Sequence, residues 1–205
     1  MITVFGEGRG FRVVWLLEEM GLPYRLRRVD LLAGVENDPE FLAINPAGFI
    51  PAIQDGDVTM VESIAIMEYV MARYGPTSLA PDPHDPAFPA YQQFLHLGEA
   101  GLAASIYFVV VSRNLAPEAE RDNWGARKAL EVFESRLGLV TRQLARFPYL
   151  AGDAFTIGDI PVGIMAYRYR QLVPDRPPLK NFERWYAAIS SRQAFKDQVG
   201  AVPLT

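Results

Sequence analysis

NPAGFIPAIQDGDVTMVESIAIMEYVMARY, residues 45–74, is the stretch on which the reading of this chain turns. Asn45–Pro46–Ala47–Gly48 carries turn chemistry, because proline fixes the backbone and glycine frees it in succession. Ile50–Pro51 opens a strand-like run, at the strand start where a proline costs least. A cis bond there would turn the Ile50 peptide groups toward an extended ligand lying along the strand edge. Asp55–Gly56 predicts a two-residue hairpin turn between Ala52–Ile53–Gln54 and Val58–Thr59–Met60. Glu62–Ser63 then opens a helix in which Ile66, Met67, Val70, Met71 and Tyr74 keep helical spacing.

The start of that helix admits two readings. Ser63 could be an ordinary capping serine after a solvated glutamate, although no Glu or Gln stands at Ile66 to complete a capping box. Alternatively, the N–H groups and hydroxyl at a helix start suit a carboxylate, and Glu62 beside them suits an ammonium. Together they would fit the two ends of an amino-acid head group.

Working toward the N-terminus, Ile2 to Phe5 reads as a strand, Phe11 to Met20 as a helix ended by Gly21, Tyr24 to Val29 as a second strand and Pro39 to Ile44 as a short helix. The order is therefore βαβαββα. Gly6-x-Gly8-x-Gly10 after the first strand invites comparison with a dinucleotide-binding turn, but in either frame the third glycine would fall on Phe11 or Val13. The order also turns antiparallel after two βα units, where a nucleotide-binding half would add a third parallel strand.

Toward the C-terminus, residues 75–89 hold five prolines and predict a stiff, extended linker. Pro86 to Val111 predicts one long, largely buried helix. Ala126, Leu130, Phe133, Leu137, Val140, Leu144 and Phe147 alternate spacings of four and three, which is a bundle-type packing stripe. Thr156-x-x-Asp159 reads as a capping box flanked by a Phe155/Ile160 hydrophobic staple, so Asp159 belongs to folding rather than chemistry. Further helices are expected to about Tyr169, from Leu179 to Ile189 and from Ala194 to Val199.

Composition narrows the function classes. Half of the 205 residues are hydrophobic and the net charge is −4, which supplies no electrostatic reason to expect nucleic acid. The absence of cysteine excludes disulfides, thiolate metal sites and a cysteine nucleophile. Two histidines, His84 and His96, cannot form a histidine-rich metal site, and no metal is expected. The apolar stretch Ala100 to Val111 is too short to span a bilayer, and no signal peptide is visible. A cytoplasmic protein without a membrane segment is the expectation.

On VVWLLEEMGLPY (Val13 to Tyr24), NPAGFIPAI (Asn45 to Ile53), VES (Val61 to Ser63) and FTIGDI (Phe155 to Ile160), the chain resembles the glutathione transferase family over nearly its whole length. The resemblance implies a thioredoxin-like α/β N-terminal domain at residues 1–77, a linker at 78–86 and an all-α helical-bundle C-terminal domain at 87–205. It implies glutathione as co-substrate, with the γ-glutamyl group at Glu62 and Ser63 and the cysteinyl backbone at Ile50 before a cis Pro51. It also implies a homodimer and a small hydrophobic electrophile as second substrate. Relatives differ in two places. Their first loop usually carries a serine, tyrosine or cysteine, where GEGRGFR has none, and many carry lysine at Phe49 for the glycine carboxylate.

A free thiol with pKa about 8.5 is only slightly ionised near neutrality, so a transferase needs a donor for the thiolate. Gly8 and Arg9, with the backbone of the glycine-rich turn, are the candidates in this loop, and Arg9 is preferred to Arg12 because Arg12 falls inside the helix. Phe11, Tyr91, His96, Glu99, Ala103 and Tyr107 are candidates for an acceptor pocket between the domains. A zeta-type isomerase is disfavoured, because its serine- and cysteine-rich loop is missing. The remaining alternative is a non-catalytic glutathione-binding or protein-interaction domain on the same fold.

Overall fold

A computed structural model describes residues 1–6, 11–30 and 34–199. Its order is β1 (Ile2–Phe5), α1 (Phe11–Glu19), β2 (Tyr24–Arg27), α2 (Pro39–Ile44), β3 (Ala52–Asp55), β4 (Val58–Val61), α3 (Ser63–Tyr74), α4 (Phe88–His96), α5 (Ala104–Asn114), α6 (Trp124–Leu144), α7 (Asp159–Leu172), α8 (Lys180–Ser190) and α9 (Gln193–Gln198). The chain divides into two compact units, Met1–Thr77 with Ala194–Val202, and Ser78–Gln193.

The first unit is built on a four-stranded sheet of order β2-β1-β3-β4. β1 and β2 are parallel, and the pairs β1–β3 and β3–β4 are antiparallel. This is the thioredoxin-like arrangement that the βαβαββα order predicts. Successive strand residues point to opposite faces. Ala52 accordingly packs with Phe5, Val29 and Phe41 on the α2 side, and its neighbour Ile53 is also fully buried.

A fork of two bonds docks α2. Arg27 Nη1 and Nη2 donate to the two carboxylate oxygens of Asp38, each at 2.7 Å. Asp38 in turn caps α2 by accepting from Phe41 N at 3.0 Å. Both contacts favour the ionised form, so the guanidinium, and after it the Phe41 N–H, holds the Asp38 carboxyl below its ordinary value.

The hairpin differs from expectation by one residue. Asp55 pairs with Val58, so the two central residues are Gly56 and Asp57. Gly56 supplies the positive φ (62°) at the first of them, the position that a II′ turn gives to glycine. Asp55 stays in the ladder, its carboxylate accepting from the hydroxyls of Tyr69 (3.0 Å) and Tyr74 (2.6 Å) on α3.

Ala194–Val202 groups with the first unit, whereas the resemblance implies a helical domain over the whole of 87–205. The cause is a long-range contact. The Phe195 ring meets Trp15 edge-on, with centroids 5.1 Å apart, and Gln198 Nε2 donates to Glu18 Oε1 at 3.1 Å. Trp15 is fully buried.

The second unit starts within the expected linker, which is folded rather than extended. His84 N and Ala87 N donate to the carboxylates of Asp82 and Asp85. Asp85 N and Phe88 N bond to the carbonyls three residues earlier. The aspartates interleaved with the prolines thus build successive turns, and Leu79 O accepts from Ile157 N at 2.8 Å.

Phe88 to Asn114 is one 27-residue helix, long and apolar enough by composition to cross a membrane. Tyr91, Phe94, Leu95, Leu102, Ile106 and Val109 on it are nevertheless buried in this unit's core. Its middle, Leu97–Ala103, is wound as π-helix. Gly98 explains the close packing there, since a Cβ at that position would stand 2.4 Å from Pro161 Cβ. Arg136 Nη1 on α6 reaches Gly101 O in the same segment. On α6, Ala126, Phe133, Leu137, Val140 and Leu144 form the buried stripe that the spacing predicts.

The Thr156/Asp159 box is present and larger than expected. Asp159 accepts from Thr156 N and Leu150 N, both at 3.0 Å, and from Trp185 Nε1 on α8 at 2.8 Å. It is wholly buried, and that burial raises its carboxyl from an ordinary 3.8 to about 6 against the pull of those donors.

Candidate functional site

The segment that leads into β3 is held by one side chain. Asn45 Oδ1 accepts from Ala47 N at 3.1 Å and Asn45 Nδ2 donates to Phe49 O at 2.6 Å, while Gly48 N closes the turn on Asn45 O. Gly48 sits at φ 69°, where a Cβ would meet Val35 Cγ1 at 2.9 Å; the turn therefore requires glycine. With the turn pinned, the chain enters Ile50–Pro51, whose peptide bond is cis, as the family resemblance implies. Gly6, immediately after β1, lies against it, since a Cβ on Gly6 would stand 3.0 Å from Ile50 Cβ.

After the hairpin comes α3. Its first intrahelical bond runs from Ile66 N to Glu62 O at 2.9 Å, so the N–H groups of Ser63, Ile64 and Ala65 lie ahead of the ladder. Glu62 occupies the cap position without a side-chain cap bond and with φ 70° and ψ 107°. A positive φ at a non-glycine residue costs about 1–3 kcal/mol and is held only where the surroundings impose it. Ser63 is 3% exposed. It is therefore the first residue of the helix and buried, rather than an exposed serine cap.

Beneath Ser63 stands Arg12, the second residue of α1 and fully buried. Its Nη1 donates to Ser63 Oγ at 3.4 Å. Sequence reasoning set Arg12 aside because it falls inside the helix, and the partner is 51 residues away, beyond any local pattern. The one available signal was an arginine at the second position of an otherwise apolar, buried helix. The start of α3, the Ser63 hydroxyl and a guanidinium therefore meet in one compact corner, with the Glu62 carboxylate adjoining. Such a corner can take an anionic carboxylate at α3 and an ammonium beside Glu62.

Gly8 and Arg9, the candidates for the thiolate, lie outside the described residues. The acceptor-pocket candidates fall into two groups. Phe11, Tyr91 and Ala103 are buried, and Tyr91 packs within the helical unit, beside Phe88 and the turn at Gly158. His96 is exposed and pairs with Gln92 Oε1 at 3.2 Å, Glu99 is half-buried on the π-helical segment, and Tyr107 is exposed. Phe49 is partly exposed, immediately before the cis bond. Among the described residues no group of His, Asp and Glu is arranged to hold a metal ion.

Comparison with known proteins agrees with this architecture. Residues 2–72 match the glutathione S-transferase N-terminal domain and residues 64–193 the glutathione S-transferase C-terminal domain. Glutathione S-transferase 3 of Zea mays is 32% identical over 94% of this chain and 89% of that protein. Glutathione S-transferase GstB of Escherichia coli is 28% identical over 97% of this chain and 98% of that protein. Among solved structures, the theta class glutathione S-transferase from Xanthomonas axonopodis pv. citri with glutathione bound superposes with a TM-score of 0.84 at 31% identity, covering 100% of this chain and 99% of that one. On this match of both domains, the chain belongs to the glutathione S-transferase family.

Proposed function

We propose that this protein conjugates the thiol of glutathione to small hydrophobic electrophiles. The observation that carries the reading is the corner at the start of α3, where a buried Ser63 and the strained Glu62 stand over Arg12. Glutathione offers a complementary head group: its γ-glutamyl α-carboxylate meets Ser63 and the helix N–H groups, and its α-ammonium meets Glu62. The cysteinyl backbone runs along Ile50 and Pro51, beside Gly6. The thiol then faces the loop that holds Gly8 and Arg9, where the Arg9 guanidinium and backbone N–H groups lower its pKa. The protein works as a homodimer.

A second reading is favoured by one observation. The loop GEGRGFR carries no hydroxyl or thiol to donate to a thiolate, as befits a domain that binds glutathione without turning it over. Steady-state conjugation of glutathione to a panel of aryl halides, epoxides and enones separates the two. Turnover above the uncatalysed rate is expected. Tight glutathione binding with no turnover on any of them would establish the binding domain instead.

A further inference from the structure

We infer that the thiol peptide this site prefers has a neutral C-terminus, as in an amide or ester of glutathione, and that Phe49 sets the preference. The inference rests on the site reading above and deepens it. Ala52 at the start of β3 pairs with Val61 at the end of β4, so the head-group position at Glu62 and Ser63 adjoins Pro51. A tripeptide that starts there and passes Ile50 carries its third residue away from β4, past Phe49. Val35 packs on the turn that leads to Phe49, its Cγ1 2.9 Å from where a Gly48 Cβ would stand. The tail of the ligand therefore meets the Phe49 side chain and the segment around Val35.

Neither offers a carboxylate a partner. Residues 29–72, which include both, hold no lysine, arginine or histidine. The Phe49 carbonyl secures the turn, through Asn45 Nδ2, while the side chain is 39% exposed and presents a ring where the tail crosses. The arginines on and after β2 are directed elsewhere. Arg27 is forked on Asp38 and also reaches Glu40 at 3.3 Å. Arg27 and Val29 face α2, so Arg28 between them turns to the opposite face, and Arg25 sits further back, level with Thr3. Arg9 belongs, in the site reading, to the thiol. The charge carried by the segment itself is negative: Glu36 is exposed, its carboxylate folded back over Gly34. A tail carboxylate is thus desolvated against a phenyl ring and repelled by Glu36. A neutral amide or ester incurs neither cost and keeps the apolar contact.

The test is a calorimetric titration of four thiols into wild type, Phe49→Lys and Glu36→Gln. The thiols are glutathione, its glycine amide, its glycine ethyl ester and cysteinylglycine amide, which lacks the γ-glutamyl group. Wild type is expected to bind the amide and ester of glutathione at least about threefold more tightly than glutathione, by a margin that narrows in high salt. Phe49→Lys is expected to reverse that order by giving the carboxylate a cation, and Glu36→Gln to reduce the margin. Glutathione bound by wild type as tightly as its amide, or more tightly, overturns the proposal, and so does an order that neither variant changes. If Phe49→Lys does not fold, Glu36→Gln decides alone, and an unchanged margin overturns the proposal. All of these results leave the site reading standing while cysteinylglycine amide binds far more weakly than the γ-glutamyl thiols. If it binds as well as they do, or if no thiol binds, the site reading fails and this inference with it.

Discussion

Two helix starts in this protein contrast sharply. At α7 the first N–H groups are taken by backbone, Asp159 N by Thr156 O and Ile160 N by Ile157 O, and the buried Asp159 carboxylate beside them accepts from Thr156 N, Leu150 N and Trp185 Nε1. At α3 the cap position holds Glu62, with a strained backbone and no side-chain cap bond, and a buried cation reaches the first helical residue. Both starts are buried. The first is closed by bonds within the protein, whereas at the second the N–H groups of Ser63, Ile64 and Ala65 lie ahead of the ladder. A closed start stabilises the fold; one whose N–H groups lie ahead of the ladder is suited to a ligand that brings its own carboxylate. Substitutions at the two should therefore separate, with α7 changing stability and α3 changing affinity.

The largest effect is expected from Asp159→Ala. It leaves three buried N–H donors without their acceptor, each costing about 1–3 kcal/mol, so urea unfolding should show a loss of at least about 3 kcal/mol. Glutathione affinity of the fraction still folded should stay at the wild-type value. The reverse pattern is expected for Glu62→Ala. Losing a charge-assisted contact of about 1.5–3 kcal/mol should raise the glutathione Kd about ten- to a hundredfold, while the unfolding midpoint hardly moves.

A pH titration sharpens the contrast from the other side. Burial raises the Asp159 carboxyl to about 6 in the folded protein, above its unfolded value of about 3.9. Between those values the unfolded chain has lost the proton and the folded one keeps it. The contribution of Asp159 to stability is thus fully present below about pH 4 and is lost as pH rises through 6. Asp38 acts oppositely: its lowered pKa contributes stability that is lost as pH falls. The wild-type minus Asp159→Asn difference in unfolding free energy should therefore decline from pH 4 to pH 6. The smallest effect concerns the strain at α3. Glu62→Gly should be more stable than Glu62→Ala by about 1 kcal/mol, because glycine accepts φ 70° freely, and both should bind glutathione equally poorly.

Features with local causes were legible in the residues. Asn45 through Gly48 made the expected turn because proline and glycine act on their own backbone, and the Asn45 side chain pins it further. The α6 stripe was legible because bundle packing imposes a spacing. The hairpin slipped by one residue because Gly56 could serve either central position, and the tyrosines that hold Asp55 in the ladder lie on another element. Distant causes left no local trace. Arg12 meets Ser63 across 51 residues, Trp185 meets Asp159 across 26, and Phe195 returns to Trp15. The π-helical turn depends on Gly98 lying against Pro161, and nothing in LGEAGLA announces that neighbour. The start of α3 was located from sequence, while the cation beneath it required the fold.

The central claim is that the start of α3 serves a ligand and not the fold. Calorimetric titration of glutathione into wild type and Ser63→Ala, with urea midpoints measured on the same samples, tests it most directly. The account predicts a Kd raised at least about tenfold at an unchanged midpoint. An unchanged Kd, or a Kd that worsens only as the midpoint falls, would contradict it and make Ser63 one more residue of the core.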